Sequence, residues 1–432
     1  MGEVKTIIIG AGLAGLSAAY HLKSDYVVLE KRSKAGGACQ SEIHNGFVFD
    51  RGIHVLHTHN EYVLQLLKSL GVNLQSHTRE AWIYSHNTFT RYPFQANTFG
   101  LPVSIIKDCL LGFIEANYSR KDMKKLSNYG EWVYAAFGTG IAEHFMFPYA
   151  EKFWTIHPKE LDLGWIDVRV PKPTLEEIIE GALHEQKKGF GPNAQFKYPL
   201  RNGIEAIPMS FLSHCSPIIF NSEVTSIDTR NKTIEVNNEE ILPFNEIIST
   251  MPLPEIISLI NDVPTEIKEA ADHLMYNSII CVNLGIDRAN ISDKHWIYYP
   301  EREFVFFRIS FPMNLSPYMV PTGKSAISAE ISYSKYKPLK ITKGNLIEQV
   351  KTDLIKAKVL TGKEKIEVAN IIEIKYAYVT YDHNRQRNVE IIHRFLKENG
   401  IYPAGRYGDW EYHWMDDAIL SGRRVAEELN EE

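Results

Sequence analysis

Three glycines near the start of the chain have the spacing of a nucleotide-binding turn. Gly10, Gly12 and Gly15 follow the apolar run KTIII and open the helix-compatible run LSAAYHL. In such a turn the first glycine permits a tight bend, the second lets the backbone approach a pyrophosphate, and the third allows close helix packing. Glu30 ends the next apolar run, YVVLE, where a carboxylate can accept hydrogen bonds from a ribose. The pattern predicts a dinucleotide-binding βαβ unit, and a glycine-rich turn in an unrelated α/β fold is the alternative.

Two further motifs favour FAD over NAD as the dinucleotide. Gly36 and Gly37 with Ser41, in KAGGACQS, resemble the double-glycine motif of FAD-binding oxidoreductases related to glutathione reductase and the amine oxidases. The late segment GRYGDWEYHWMDDAILSG resembles the closing motif of the same group, in which a helix N-terminus faces the flavin. Backbone N–H groups and a helix dipole there would stabilise negative charge on a reduced flavin ring. For Asp416 and Asp417 the simpler explanation is that acidic residues favour a helix N-terminus.

One arginine lies where the sequence predicts burial. Arg308 stands in the strongly apolar stretch FVFFRIS. Because an unpaired buried charge is costly, this arginine must have an anionic partner. We predict a bound ligand, and an internal salt bridge to a glutamate such as Glu330 is the alternative. Tyr298 has the same parity as Trp296 on the preceding strand, so we expect both side chains to face one side.

Histidines near residue 55 raise the hypothesis of a metal site. His54, His57 and His59 straddle a predicted strand end and a helix start, rather than one face of a helix. No cysteine or second histidine cluster in the sequence completes a ligand set. We therefore predict no metal, with structural roles for His57 and His59.

Composition and charge exclude several classes of protein. The chain has 432 residues, 44% of them hydrophobic and 23% charged, which is typical of a soluble globular chain with more than one domain. Its formal charge of -6 is spread over mixed signs, so we predict no nucleic-acid binding. The most apolar run, residues 6–22, is short and glycine-interrupted, which predicts no membrane span. The four cysteines stand far apart, which favours incidental thiols in a reducing, cytoplasmic compartment.

The order of apolar patterns predicts an α/β protein. Its expected parts are a discontinuous Rossmann-type FAD-binding domain, an inserted helical domain and an antiparallel β-sheet substrate domain. We assign residues 1–90, 205–265 and 366–432 to the FAD-binding domain. Residues 91–204 form the mainly helical cap domain, because few strand signals occur in residues 102–185. Residues 266–365 form the antiparallel sheet, since four β-rich runs lie between residues 278 and 334.

Six further segments of the sequence indicate one particular family among these FAD-binding proteins. These six segments resemble segments that stand in the same order in the UDP-galactopyranose mutase family: GIHVLHTHN, RYPFQANTFGLP, FGTGIAEHFMFPYAEKFW, GPNAQFKYP, HWIYYPEREFVFFR and GRYGDWEY. The first is similar to bacterial mutases, and the others resemble the eukaryotic branch. On this evidence the chain is identified as resembling that family along most of its length.

The resemblance implies a set of site residues. His54 would lie against the flavin, while Arg308 and Arg406 would hold the two phosphates of a nucleotide-diphosphate sugar; these three are the predicted catalytic residues. Two guanidinium groups can bind a diphosphate bidentately and more rigidly than lysines. The implied cofactor contacts are Gly10, Gly12, Ala14, Gly15, Glu30, Lys31, Gly37, Ala38, Gly52, His54, Val224, Gly405, Met415 and Asp416. The implied substrate contacts are Tyr92, Phe94, Gln95, Trp154, Arg169, Asn193, Tyr298, Arg308, Tyr378, Arg406 and Tyr412.

The resemblance also implies a reaction. It is an isomerisation between the pyranose and furanose forms of a UDP-galactose-type sugar, with FAD reduced throughout and a covalent flavin–sugar adduct. The product, a galactofuranose donor, serves cell-surface polysaccharide synthesis in this family. NAD(P)H is a candidate reductant and a homo-oligomer a candidate assembly, and the sequence leaves both open.

Three departures from the family pattern concern specificity. Ala150 stands where the eukaryotic branch has a base-contacting asparagine, Val379 replaces a proline, and Asp416 replaces an asparagine. A thymidine-linked or N-acetylated sugar therefore remains an alternative substrate. The alternative functions are an amine-oxidase-like FAD oxidase or dehydrogenase with net hydride transfer, and a catalytically silent sugar-nucleotide binder.

Overall fold

The structure, a computed structural model, describes residues 6–119, 122–166, 169–191 and 194–431. Its strands are β1 Thr6–Ile9, β2 Tyr26–Glu30, β3 Ser41–His44, β4 Phe47–Asp50, β5 Leu74–Thr78, β6 Ala81–Ser85, β7 Thr88–Arg91, β8 Gln195–Pro199, β9 Ile218–Phe220, β10 Val224–Asp228, β11 Thr233–Val236, β12 Glu240–Pro243, β13 Glu246–Ser249, β14 Tyr276–Ile286, β15 Trp296–Tyr298, β16 Arg308–Ser310, β17 Ser325–Tyr333, β18 Ile366–Val379 and β19 Ile401–Pro403. Its helices are α1 Leu13–His21, α2 Glu61–Ser69, α3 Val103–Ser119, α4 Tyr129–Ile141, α5 Phe147–Trp154, α6 Leu175–Leu183, α7 Ala206–Met209, α8 Leu253–Leu259, α9 Thr265–Asp272, α10 Pro312–Leu315, α11 Lys343–Lys356, α12 Arg385–Glu398, α13 Gly405–Gly408 and α14 Met415–Glu431.

A five-stranded parallel sheet has the order β19-β13-β1-β2-β9. Strands β1 and β2 are apolar and almost fully buried, as expected for a parallel sheet that is covered on both faces. Helix α1 connects these two strands. The other three strands come from residues 218–403, so distant parts of the chain complete one sheet. The predicted α/β fold with a discontinuous Rossmann-type domain is confirmed.

The first and last long helices of this domain pack directly on each other. A side chain at Gly422 of α14 would lie 2.0 Å from the Ala14 carbonyl oxygen of α1, so only glycine permits this approach. The Ser17 hydroxyl of α1 donates to the Ile419 carbonyl at 2.6 Å. In α14, apolar and small residues recur every three or four positions, which gives the helix one buried face. The two ends of the described chain thus belong to one packed unit.

A seven-stranded sheet forms the second layer, in the order β18-β14-β17-β16-β15-β6-β7. The pairs β18-β14, β14-β17, β17-β16, β16-β15 and β6-β7 are antiparallel, and only the β15-β6 pair is parallel. β14 and β17 pair along nine positions, from Ser278 opposite Tyr333 to Ile286 opposite Ser325. The mainly antiparallel sheet predicted for the substrate domain is therefore present.

The strand pairing corrects the predicted domain boundaries at three places. β6 and all of β7 except Arg91 lie in residues 1–90, which we assigned to the FAD-binding domain. Both strands pair into the seven-stranded sheet rather than the parallel one. β18, assigned to residues 366–432, also pairs there and covers the edge of β14. β8 lies within the range assigned to the helical domain, yet it pairs antiparallel with β5. The physical reason is that β14 and β15 would otherwise expose unpaired edges, and partners from outside residues 266–365 cover them.

The inserted domain consists mainly of α3, α4, α5 and α6. From Tyr129 to Trp154 the helices α4 and α5 are joined by a π-helical turn, Ala142–Met146, and the backbone is kinked at Gly138. Aromatic side chains from this region form much of the core next to the seven-stranded sheet. Within the described ranges, every helix is too short or too polar to cross a lipid bilayer.

Candidate active site

A cavity of about 590 Å³ lies between the carboxyl ends of the parallel strands and the seven-stranded sheet. This volume is within the range of small-molecule sites, which often occur where two domains meet. One end of the cavity is lined by the segments after β1, β2 and β13, which include the glycines Gly10, Gly12, Gly36 and Gly37. The other end is lined by side chains from β15, β16, β17, β18 and the segment between α13 and α14. We call these two parts the cofactor end and the substrate wall.

The turn after β1 forms the cofactor end. Gly10 has a φ of +98°, a conformation that L side chains rarely adopt. A side chain on Gly15 would lie 2.0 Å from the Gly10 carbonyl oxygen, so the start of α1 packs against the turn itself. Gly12 precedes α1 and provides no side-chain cap, which leaves the first N–H groups of the helix available. A helix N-terminus of this kind, facing a cavity, fits a pyrophosphate.

The double-glycine segment and Glu30 complete this end. A side chain on Gly37 would lie 3.0 Å from the Cα atom of Gly12, so the two glycine segments pack backbone to backbone. The Glu30 carboxylate is buried and accepts hydrogen bonds from the N–H groups of Ala11 at 2.8 Å and Arg32 at 2.9 Å. Its oxygens retain lone pairs that can accept ribose hydroxyls. The residues at this end thus fit a dinucleotide cofactor.

Most of the predicted cofactor residues line the cavity. They are Gly10, Gly12, Ala14, Glu30, Lys31, Gly37, Ala38, Gly52, His54, Val224, Gly405 and Met415. Gly15 and Asp416 do not line it, although both are described. Gly15 lies behind the turn. Asp416 is the second residue of α14, where burial raises the pKa of its carboxyl and Oδ1 has no hydrogen-bond partner among the described residues.

His54 lies between the cofactor end and the substrate wall. Burial lowers the pKa of its imidazole to about 4, so the ring is neutral at physiological pH. Its Nδ1 lies 3.1 Å from the Gly52 carbonyl oxygen, which can only accept, so Nδ1 carries the proton. In this tautomer Nε2 is a hydrogen-bond acceptor. His54 can therefore orient a donor in the cavity but supplies no positive charge.

Arg308 has both a carboxylate partner and a position in the cavity lining. Its Nε donates to Glu330 Oε2, and the two residues lie opposite each other on β16 and β17. The sequence favoured a ligand over this salt bridge, so that preference was wrong for Nε: the strand register brings the buried Glu330 beside the arginine. Glu330 Oε1 also accepts a hydrogen bond from the Ile53 N–H at 3.1 Å. Glu330 thereby connects the arginine to the segment that carries His54.

Arg406 has polar atoms without partners. Its Nη1 donates to the His413 carbonyl at 3.3 Å, whereas Nε and Nη2 are buried with no hydrogen-bond partner among the described residues. The guanidinium carbon lies 4.8 Å from the ring centre of Tyr378 and 5.0 Å from that of Tyr412. Buried donors that lack acceptors are costly, so an anion in the cavity would stabilise this arrangement.

Three predicted tyrosines line the substrate wall with the arginines. Tyr298 is directly opposite Arg308 in the β15–β16 pair, and Tyr378, the penultimate residue of β18, lies next to Arg406. Tyr412 follows α13, with its ring centre 5.5 Å from that of Tyr378. All three line the cavity. Together they surround the two guanidinium groups with hydroxyl-bearing rings.

Other predicted substrate residues lie behind this wall. Tyr92 packs on Tyr298 at a ring distance of 5.3 Å, and Trp154 packs on Tyr412 at 5.8 Å. The Arg169 guanidinium lies 3.7 Å from the ring centre of Trp414, and its Nη2 donates to the Tyr412 carbonyl at 2.6 Å. These side chains contact the lining residues without lining the described cavity themselves.

Two predicted residues belong to the core of the helical domain. Phe94 stacks on Phe145 with ring centres 4.9 Å apart, and it is fully buried. Gln95 is also buried, and its side-chain amide donates to the Pro171 carbonyl at 2.8 Å. Neither lines the cavity, so the structure does not bring them to the other site residues. Asn193 lies outside the described residues.

The sequence analysis did not identify several residues that line the cavity. Trp414 and Tyr376 line the cavity, as does Glu330, which was named only as a salt-bridge partner. Trp414 is two residues after Tyr412, so the same closing motif could have identified it. Arg51 follows β4 and donates to the Glu373 carbonyl at 3.1 Å, a contact that no local pattern predicts.

The structure also bears on the metal hypothesis. His54 and His57 both hydrogen-bond backbone carbonyls, of Gly52 and Gln195 respectively. In the part of the chain that the structure describes, no group of three or more histidine, cysteine or carboxylate side chains could hold a metal ion. The four cysteines are buried and unpaired.

Comparisons with known proteins agree with this geometry. The chain is 27% identical to the crystal structure of a reduced UDP-galactopyranose mutase, with a TM-score of 0.94 over 100% of this chain and 94% of that one. Putrescine oxidase bound to putrescine has the same fold, with a TM-score of 0.70 at 15% identity over 100% and 99% of the two chains. Coproporphyrinogen III oxidase from Staphylococcus aureus is 22% identical over 98% of both chains.

The family model of the flavin-containing amine oxidoreductases matches residues 13–430. That range includes α1, Glu30, both arginines of the substrate wall and α14. The resemblance to UDP-galactopyranose mutase noted in the sequence is confirmed at the level of the whole fold. The family, the mutase fold and the glycine-lined cofactor end agree that the cofactor is FAD. The chain belongs to the flavin-containing amine oxidoreductase family.

Proposed function

We propose that this protein is a FAD-dependent mutase that interconverts the pyranose and furanose forms of a nucleotide-diphosphate sugar of the UDP-galactose type. The similarity to a reduced UDP-galactopyranose mutase, with a TM-score of 0.94 at 27% identity, supports this choice within the family. The observation that carries the proposal is the environment of Arg406. Two of its nitrogens are buried and unpartnered among the described residues, in a wall that also contains Arg308.

A diphosphate has the charge and shape that this wall requires. Its oxygens can accept from Arg406 Nε and Nη2, the two donors that lack acceptors. Arg308 is always protonated, and its partner Glu330 accepts only from Nε, which leaves the remaining guanidinium N–H groups for a second phosphate. The hydroxyls of Tyr298, Tyr378 and Tyr412 would add hydrogen bonds from the surrounding rings. The substrate class is therefore an anionic sugar nucleotide rather than an amine, which is a cation near neutral pH.

In the proposed reaction, Arg308, Arg406 and His54 have different roles. When bound and reduced, FAD supplies an electron-rich ring nitrogen that can act as a nucleophile. Arg308 and Arg406 orient the diphosphate and hold it after it leaves the sugar, so its return is effectively an intramolecular step. His54, neutral and with Nε2 as an acceptor, orients a donor group between the two ends of the cavity.

The test uses purified, FAD-loaded protein that has been chemically reduced. It is incubated with UDP-galactofuranose, with UDP-N-acetylgalactosamine and with a thymidine-linked sugar, and the products are resolved by chromatography. We expect conversion of at least one substrate by the reduced protein, inhibition by UDP, and no conversion by the oxidised protein. Replacing the chemical reductant with NADPH or NADH tests the physiological electron source. Absence of conversion and of UDP binding would rule out the mutase.

A second candidate function has support from the sequence relatives. Coproporphyrinogen III oxidase of Staphylococcus aureus is similar over 98% of this chain, which favours an oxidase with net hydride transfer. Such an enzyme would consume oxygen with a porphyrinogen or an amine, whereas the mutase would not. Measuring oxygen uptake with both substrate types, beside the chromatographic assay, distinguishes the two functions. Tight UDP binding without turnover or oxygen uptake would instead favour a catalytically silent sugar-nucleotide binder.

A further inference from the structure

We propose that Arg385 is a positioning residue that holds Tyr412 and Arg406 in the substrate wall. Arg385 begins α12 and does not line the cavity, yet only 8% of it is exposed. The inference concerns how the wall is kept in place, and its effect on substrate rests on the proposed function.

The segment that Arg385 holds has a strained backbone. Trp410 has a φ of 53°, in the left-handed region that a bulky residue rarely adopts. Its side chain is fully buried, so the conformation is imposed by packing in the interior rather than by a mobile surface loop. The reversal at Trp410 lies between two residues of the substrate wall, Arg406 on α13 and Tyr412, which is two residues after Trp410. A strained conformation persists only where surrounding contacts maintain it.

Arg385 supplies those contacts through its planar guanidinium group. Its Nε donates to the Trp410 carbonyl at 2.8 Å, and its Nη2 donates to the same oxygen. Nη2 also lies 2.6 Å from Glu411 Oε1. Because one fork of donors satisfies both the strained carbonyl and the adjacent carboxylate, lysine could not reproduce the arrangement.

Tyr381 extends the same cluster to Tyr412. The Arg385 guanidinium lies 4.2 Å from the ring centre of Tyr381, whose hydroxyl donates to Glu411 Oε2. That hydroxyl accepts a hydrogen bond from the Tyr412 N–H at 2.9 Å. Tyr381 is itself fixed, since its carbonyl accepts from the Asp162 N–H at 2.7 Å. The backbone of Tyr412 is therefore held from the side opposite the cavity.

The cluster also reaches Arg406. The Glu411 N–H donates to the Arg406 carbonyl at 3.0 Å, and the Tyr412 ring lies 5.0 Å from the Arg406 guanidinium carbon. Displacing Glu411 would thus shift both residues that face the proposed diphosphate. A displacement of about 1 Å in a positioning group can cost about 10²-fold in rate.

The experiment compares FAD-loaded Arg385→Ala with Arg387→Ala, an exposed arginine on the same helix, as the matched control. Three quantities are measured: FAD occupancy, hydrogen exchange of the backbone amides in residues 406–414, and the affinity for UDP. For Arg385→Ala we expect wild-type FAD occupancy, about tenfold faster exchange and about tenfold weaker UDP binding. Arg385→Lys should give intermediate values, and Arg387→Ala should equal the wild type.

A second variant covers the case in which Arg385→Ala does not fold. Tyr381→Phe keeps the ring but removes the hydroxyl, and we expect the same changes to a smaller extent. Unchanged exchange, or unchanged UDP affinity, in either variant would overturn the inference. If the wild type itself fails to bind UDP, the proposed function is contradicted, and the exchange measurement alone then decides whether Arg385 positions the segment.

Discussion

The two ends of the cavity are built in different ways. The cofactor end is built around short contiguous segments at Gly10 and Gly37, and the carboxylate of Glu30 there accepts hydrogen bonds from backbone N–H groups. The substrate wall consists of side chains from four strands and the segment after α13, and it leaves donors of Arg406 without acceptors. The first end is complete as a protein structure, whereas the second requires a ligand to satisfy it. Substitutions at the two ends should therefore have separable effects on FAD binding and on UDP binding.

We expect the largest effect, a loss of stability, when the salt bridge between Arg308 and Glu330 in the substrate wall is broken. Arg308→Ala removes the partner of Glu330, a carboxylate that is 1% exposed. An uncompensated buried charge costs about 3–5 kcal/mol, so we expect the free energy of unfolding to fall by that amount. Urea denaturation of the FAD-loaded protein measures it. The double variant with Glu330→Gln should recover part of the loss, and equal stability of Arg308→Ala and wild type would contradict the pairing.

Arg406→Ala should have a different outcome. Because its guanidinium makes one backbone hydrogen bond and leaves Nε and Nη2 unpartnered among the described residues, its removal should not lower the free energy of unfolding. UDP binding should weaken by about 2–5 kcal/mol, as for loss of a desolvated charge contact. Calorimetric titration of the holoenzyme measures this affinity. Arg230→Ala, whose side chain is 79% exposed, is the matched control. Wild-type UDP affinity in Arg406→Ala would remove the arginine from the site.

A carboxylate substitution tests the cofactor end. Glu30→Ala leaves the N–H groups of Ala11 and Arg32 without their acceptor, which costs about 1–3 kcal/mol. We expect weaker FAD binding by a similar amount, measured by equilibrium dialysis, with unchanged UDP affinity in the fraction that retains FAD. The exposed Glu240 supplies the control, Glu240→Ala. If Glu30→Ala changes UDP affinity instead, the two ends are not separable.

We expect the smallest effect, a change in the pH dependence of stability, at His54, which lies between the two ends of the cavity. Burial lowers the pKa of His54 to about 4, below its usual value of 6.5. The unfolded chain therefore takes up a proton that the folded protein does not, and stability falls as the pH drops from about 6.5 towards 4. His57 and His295 act in the same direction, while Asp50, with a pKa raised to about 6, acts in the opposite one.

His54→Gln should therefore lose less stability than the wild type between pH 7.5 and pH 5. Urea midpoints of both proteins at the two pH values give the comparison. His214→Gln, a substitution away from the cavity, serves as the control. Identical losses in wild type and His54→Gln would show that this imidazole is not buried in its neutral form.

The cofactor end was predictable from sequence because its geometry is local. The turn at Gly10, Gly12 and Gly15 follows from backbone sterics within one βαβ unit, and Glu30 ends the adjacent strand. No long-range register is needed to bring these residues together. The resemblance of the double-glycine and closing motifs to those of FAD-binding oxidoreductases then extended the prediction to FAD.

The substrate wall could be predicted only in part. The apolar context of Arg308 required a partner, but the choice of Glu330 depends on the register of β16 against β17. The contribution of β6 and β18 to the second sheet likewise depends on edges that only the assembled structure exposes. Phe94 and Gln95 were assigned by motif, yet the packing of the helical domain directs them into its core. Residue types in the sequence identified candidate site residues, but the tertiary packing determined which side chains each of them contacts.

The close packing of α1 against α14 has a consequence for biosynthesis. Residues that are far apart in the sequence, Ala14 and Gly405 among them, border the flavin pocket. A nascent chain on the ribosome therefore lacks part of that pocket until the segment that contains Gly405 has been synthesised. Because contacts between distant segments form slowly, we expect this pocket to be among the last parts of the protein to form.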